Sequence, residues 1–276
     1  QDRGRYGRFK MRGDSRVAGG EMRTRKGTPA AGAAAELEKV VSLVREHTAQ
    51  ARSTLAIFDL DGTLFDNRTR TIFILREIAE RFGDRVPQLA GAFEDFLDLS
   101  VVDYSLDVTL GRIGVRSKAE REFIRQEWAK RFFSDGYQKF DMPLPGAKAF
   151  VDRVHRAGAT VIYLTGRDVG RMLVGTTEAL RLYGFPVGIE GTMTIVKKEF
   201  EQDDEIFKRE VSRYIDRLGE VVAIFENEPA NSNILQARFP SASSFFVETQ
   251  HRPGAPALHG GICRIKDFRA RGGRRK

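Results

Sequence analysis

The sequence predicts an α/β fold, a doubly wound parallel sheet with an all-helical insertion, and three observations lead to it. An apolar run over residues 54–60 is followed at once by a cluster of acids, Gly and Thr. About 80 residues of helical periodicity come next, without a strand of convincing alternation. Beyond Pro145 the chain alternates helical and strand-like segments at spacings that suit βαβ crossovers.

Taken in order, residues 1–30 carry nine Lys/Arg against three acids with no apolar period, and read as a disordered basic arm. Leu37, Val40, Val41 and Val44 fall on one helical face, so residues 33–48 are expected to form an amphipathic helix. Residues 54–60 are apolar almost throughout, as suits a parallel strand buried on both faces. Between 66 and 145 the pattern predicts helices over 71–82, 89–99, 101–113 and 117–133. Trp128 and Phe132, four apart, are expected to pack inside this insertion.

The alternation then resumes. Helices are expected over 146–157, 168–183, 203–218 and 229–237, and strands over 160–164, 192–196, 221–226 and 244–247. Residues 261–265 add a candidate edge strand. The division is therefore a basic arm (1–30), an α/β core (31–65 and 146–265), a helical insertion (66–145) and a basic tail (266–276).

Composition narrows the function. The chain has 276 residues with 41% hydrophobic and 30% charged content, ordinary for a globular protein. No apolar run reaches the ~18 residues of a membrane span. The basic N-terminus has no apolar stretch behind it, so no secretory signal is expected. A single cysteine, Cys263, cannot form an internal disulfide, which fits the cytoplasm. The net charge of +8 belongs to the two ends, and the segment between them is net acidic. Such arms can hold nucleic acid by counterion release, but Gly/Arg-rich ends more often stay solvated. The four histidines are scattered and match no ligand spacing.

In a doubly wound sheet, ligands sit at the carboxyl ends of the strands. Three strand ends carry polar groups: FDLDGTLFD at 58–66, LTGRD at 164–168 and FENEP at 225–229. Asp59 and Asp61 lie two residues apart, with Gly62 allowing a sharp turn after them. One carboxylate can attack phosphorus while a second acid protonates the leaving alkoxide and later deprotonates water. A plain Asx turn would explain a lone DxD, but not this longer element behind an apolar strand. Thr165 and Gly166 offer a hydroxyl and open amides at a helix N-terminus. Gly62, Thr63 and Arg167 complete the expected substrate surroundings. Lys208 is the expected partner for phosphate charge, in preference to Lys197 or Lys198, because its helix is aimed at the same edge. Glu226 is a candidate ligand for Mg²⁺, which commonly takes one or two carboxylates plus phosphate.

Together these motifs resemble the haloacid dehalogenase superfamily, from about residue 54 to 246. DxDGT is similar to its first motif, LTGRD to its second, Lys208 to its third and FENEP to its fourth. The resemblance implies a central Asp59 strand and a helical cap over the site. It implies Asp59 as nucleophile and metal ligand, and Asp61 as general acid/base that also ligates through its carbonyl. Thr165 would bind phosphate, Lys208 would stabilise the intermediate, and Glu226 would complete a Mg²⁺ site. An acid two residues after the nucleophile implies a phosphatase of small phosphorylated substrates. The TGR form is also similar to acid-phosphatase-like and polynucleotide 3′-phosphatase members. The fourth motif departs from the family: Glu226 stands for its first Asp, and Asn227 or Asn231 for its second. That departure leaves a second reading, a catalytically weak phosphate-recognition or nucleic-acid-associated protein that uses the basic ends.

Overall fold

The computed structural model describes residues 30–94 and 97–269. Residues 1–29 of the basic arm and 270–276 of the basic tail lie outside that description. The chain opens with helix α1 (Ala30–Ala49), whose Leu37, Val40, Val41 and Val44 are all buried as their spacing predicts. Strand β1 (Thr54–Phe58) is buried along its whole length. It stops at Phe58, short of the expected 60, because Leu60 O turns back to accept from the amides of Thr63, Leu64 and Phe65.

The insertion follows. A two-residue strand β2 (Phe65–Asp66) leads into α2 (Arg68–Phe82) and α3 (Pro87–Ala92). Helices α4 (Leu106–Arg112) and α5 (Lys118–Phe132) come next, and β3 (Met142–Pro143) closes the insertion by pairing antiparallel with β2. This small ribbon was not apparent from the pattern. The expected helix 89–99 ends at Ala92, and residues 99–101 form only a 3₁₀ turn; residues 95 and 96 lie outside the description. The expected helix 101–113 begins only at Leu106. Asp103 accepts from Ser105 N at 3.1 Å and so holds the preceding residues in a turn. Ile74, Leu75, Ile78, Leu89, Leu110 and Ile124 form an apolar cluster that belongs to the insertion alone. Trp128 stacks on Phe132 beside it, centroids 4.3 Å apart.

The core then completes itself with α6 (Ala147–Arg156), β4 (Thr160–Asp168), α7 (Val169–Leu182), β5 (Thr192–Lys197) and α8 (Asp204–Ile215). β6 (Glu220–Glu226), α9 (Pro229–Arg238), β7 (Ser243–Val247) and β8 (Cys263–Ile265) follow. All six core strands run parallel in the order β5-β4-β1-β6-β7-β8, so β1 is central, as the resemblance implies. β4 runs on to Asp168, past the expected 164, through an irregularity in its pairing with β5.

Two apolar layers sandwich the sheet. One holds α1, α6 and part of α7, the other α8 and α9. Phe58, Phe225 and Phe245 stack at 4.7 Å intervals across β1, β6 and β7, just behind the strand ends. Each ring contributes about 1.5–3 kcal/mol on burial, and the stack makes a rigid floor under residues 59 and 226. The insertion is tied down where residues 135–140 meet α7. Asp135 accepts from Gly175 N at 2.6 Å, and a Cβ on Gly175 would lie 2.2 Å from the Asp135 carbonyl, so only glycine permits this approach. Among the described residues, no helix is long and apolar enough to cross a membrane.

Candidate active site

Asp59 is the first residue past β1 and stays tied to the sheet, its N–H donating to Phe225 O at 3.0 Å. Its carboxylate is only 6% exposed. Lys208 reaches it from α8, which is started by Asp203 accepting from Glu205 N and Ile206 N. The buried Lys208 ammonium donates to Asp59 Oδ1 at 2.8 Å and to Glu226 Oε2 at 2.5 Å. Glu226 ends β6, fully buried, and its Oε1 accepts from the amides of Asn227 and Glu228. Burial, reinforced by Glu226, pushes the Asp59 carboxyl up to about 7, and Lys208 opposes that rise. Burial also raises Glu226. Burial works against the Lys208 charge, but Asp59 and Glu226 outweigh it and hold the ammonium above its ordinary range. Lys197 and Lys198, the other candidates, are placed otherwise. Lys197 braces the next loop through Phe200 O and Gln202 O, and Lys198 is exposed beside Glu199.

Asp61 sits in a different electrostatic setting. Arg167 grips it with Nε and Nη2 at 2.8 and 2.7 Å, and Arg70 of α2 adds a contact at 2.9 Å. Asn67 donates a further bond at 2.8 Å. Both guanidiniums also reach the buried Asp141, each at 2.9 Å, so two acids and two bases form a neutral cluster. Burial disfavours the Asp61 charge, yet Arg167 and then Arg70 win and hold its carboxyl at about 2. Asp141, more deeply buried, is pushed up to about 6 by burial despite the same two arginines. The cluster joins β1, β4 and both connections of the insertion.

Of the other expected residues, Thr165 and Gly166 line the cavity above Asp59, as does the turn at Gly62. Gly62 has φ +78°, and a Cβ there would lie 2.2 Å from the Asn227 amide nitrogen. Thr63 points away from the cavity: it is fully buried, with its hydroxyl donating to Asn227 Oδ1 at 3.2 Å. Asn227 in turn donates to Gln250 O at 2.8 Å. Its amide thus braces the turn, while the residue also lines the cavity where it was expected as a metal ligand. Arg167, expected among the substrate contacts, lines the cavity and is held there, buried, by Asp61, Asp141 and Gln138.

Four residues of the site went unread in the sequence. Arg70, Asn67 and Asp141 belong to the insertion and its return, where no local pattern marks a partner of Asp61. Glu228 lines the cavity, and burial raises its carboxyl. Its place two residues after Glu226, at a strand end, was the signal that could have found it.

A hard cation needs oxygen donors and surplus negative charge. Asp59 and Glu226 set two carboxyl groups against one ammonium, with Glu228 nearby. Asn231 Oδ1 is buried beside this group without a hydrogen-bond partner. Among the described residues, no group of three or more His, Cys, Asp or Glu is arranged to hold a metal by itself. The donor set thus fits a cation that keeps several ligands from water and substrate. The cavity above it measures about 850 Å³, is floored by Asp59, Thr165, Lys208 and Glu226, and is walled by the insertion. The arrangement brings a buried carboxylate, a fixed ammonium and the Thr165-Gly166 segment to one cavity, equipment that suits transfer of a phosphoryl or similar group.

No curated protein sequence matches the chain. Among solved structures, the chain is similar to a class C acid phosphatase from Bacillus anthracis with tungstate bound, at 14% identity and TM-score 0.39. That match covers 72% of this chain, which spans 64% of the length of the acid phosphatase. CbbY from Rhodobacter sphaeroides in complex with phosphate is similar at 14% identity, covering 80% of this chain and 96% of that one, TM-score 0.45. A hydrolase from Streptococcus pneumoniae is similar at 13% identity, covering 68% and 89%, TM-score 0.44. Residues 54–229 match the haloacid dehalogenase-like hydrolase family, from the first residue of β1 to the first of α9. The chain belongs to that family of hydrolases.

Proposed function

We propose that the chain is a Mg²⁺-dependent phosphomonoesterase acting on a small phosphorylated substrate through an aspartyl-phosphate on Asp59. The observation that carries this reading is the buried Asp59 carboxylate, held by Lys208 at the floor of a large cavity on the central strand. Asp59 attacks phosphorus, the bond to the leaving oxygen breaks, and that oxygen takes a proton. Water then attacks phosphorus, the bond to Asp59 breaks, and inorganic phosphate leaves with the carboxylate restored. Thr165 and the Gly166 amide hold the phosphoryl oxygens, and Lys208 balances the charge that accumulates beside Asp59.

Asp61 is the proposed acid/base. Held at about 2, it is ionised but a weak base until the arginines around it release it. Protonating the leaving group requires the Arg70 and Arg167 grips to loosen first, so this step depends on the insertion. Residues 66–145 serve as the cap. Asp59, the Asp61 carbonyl, Glu226 and Asn231 are the proposed ligands of Mg²⁺, with Asn231 in place of the committed Asn227. Bound there, the metal would neutralise charge on the phosphoryl oxygens. A cytoplasmic location is proposed with this reading.

The test is release of inorganic phosphate from a panel of phosphate esters, with Mg²⁺ and with EDTA, beside Asp59→Asn. Release that needs the metal and vanishes in the folded variant is expected. Undiminished release by Asp59→Asn would overturn the assignment.

A further inference from the structure

Phosphate fills only a small part of the 850 Å³ cavity, so the remaining space belongs to the leaving group. Among charged and polar groups, its lining includes five aromatic rings. Trp128, Phe132 and Phe133 come from the end of α5 and the residue after it, Tyr104 from the segment before α4, and Phe200 from the loop after β5. The rings are locked together. Trp128 stacks on Phe132, whose other side carries the Arg70 guanidinium at 3.8 Å. Phe133 meets Trp128 edge-on at 5.8 Å and Phe200 edge-on at 4.9 Å, joining insertion and core across the cavity. Arg171 packs over Phe200 at 3.6 Å and fixes that ring in turn. Tyr104 remains 49% exposed.

Such a group of rings offers broad apolar area to a flat ring system, which gains from packing on aromatic side chains beyond what its buried area alone gives. We infer that the substrate's leaving group contains a planar aromatic ring, packed against Trp128, Phe133 and Phe200. A nucleoside monophosphate or an aryl phosphate has this chemistry. The inference rests on the phosphatase reading for its catalytic half, but not for its binding half.

Both halves can be tested separately on the full chain with Mg²⁺. Trp128 is the chain's single tryptophan, so its fluorescence reports this wall directly. Adenosine and phenol, which carry no phosphate, are titrated against wild type and Asp59→Asn, with glycerol as the control. A saturable change with a planar ligand and none with glycerol is expected, whether or not the protein hydrolyses anything. In the kinetic arm, kcat/KM is compared for adenosine 5′-monophosphate, phenyl phosphate and glycerol 2-phosphate. The planar substrates should exceed glycerol 2-phosphate by about ten-fold or more, and Trp128→Phe and Phe200→Leu should each cut that ratio several-fold. A preference for the nucleotide over phenyl phosphate that Trp128→Phe removes assigns a nucleobase; equal rates for the two assign a simple aryl ring. Hydrolysis of all three esters at similar kcat/KM, with no fluorescence response, would overturn the inference while leaving the phosphatase intact. Absence of hydrolysis with a clear fluorescence response would overturn the phosphatase reading and keep the pocket assignment.

Discussion

Replacing Lys208 by Met removes one ammonium while keeping a flexible stem of similar length, and the result should depend on pH in a definite direction. The ammonium is 2% exposed and touches two carboxylates that are 6% and 0% exposed. At 2.8 Å, with an effective dielectric of ~20, Coulomb attraction to Asp59 is about 6 kcal/mol. Desolvation of the lysine offsets part of that, so stranding the two acids should cost about 3–5 kcal/mol. The Asp59 carboxyl already stands at about 7 with Lys208 opposing the rise, so it must climb further without it. A carboxyl raised above its unfolded value favours the native state least at high pH, where the unfolded chain is ionised and the native one resists ionisation. The deficit of Lys208→Met against wild type should therefore be full near pH 8.5 and shrink towards pH 5, as Asp59 and Glu226 take up protons. Urea unfolding in metal-free buffer at the two pH values measures it. An equal deficit at both, or a larger one at pH 5, would refute the reasoning.

Two further substitutions probe the turn and the charge cluster. Gly62→Ala forces a side chain onto a residue at φ +78° and towards the Asn227 amide, 2.2 Å from the new Cβ. It should cost about 1–3 kcal/mol in denaturant unfolding and reduce turnover by ten-fold or more, because Asp59 and Asp61 flank the distorted turn. Wild-type stability would show that the turn has room to adjust. Arg167→Gln strands Asp61 and Asp141 with Arg70 alone and should lower stability by about 3–5 kcal/mol. Arg167→Lys should recover only part of this, since one ammonium cannot reproduce the forked contact with Asp61. Full recovery with Lys would mean that charge alone matters.

Much of this site could be read from the residues because its parts obey local rules. β1 is buried on both faces, which is why its apolar run stood out, and the chemistry lies where that run stops. Lys208 was separable from Lys197 and Lys198 because helix α8 starts beside the strand ends. Of the helices expected over 89–99 and 101–113, the first ends at Ala92, and the second begins only after a turn in which Asp103 accepts from Ser105 N, where periodicity alone would continue it. Arg167 lines the cavity as expected of a substrate contact, but the partners that hold it there, Asp61 and Asp141, lie 106 and 26 residues away. Asn227 shows the same limit. Its position in the chain suggests a ligand, while its amide packs against a glycine that only the folded turn brings near. Spacing along one segment reveals what that segment offers, but contacts between segments decide how the offer is used.

The central claim is that Asp59 carries the phosphoryl group. Rapid-quench of a single turnover with a ³²P-labelled ester, followed by peptide mapping, tests it most directly. Label should appear on the peptide containing Asp59, rise and decay within the turnover, and be absent in Asp59→Asn. Turnover that proceeds with no label on that peptide at any time point would contradict the account.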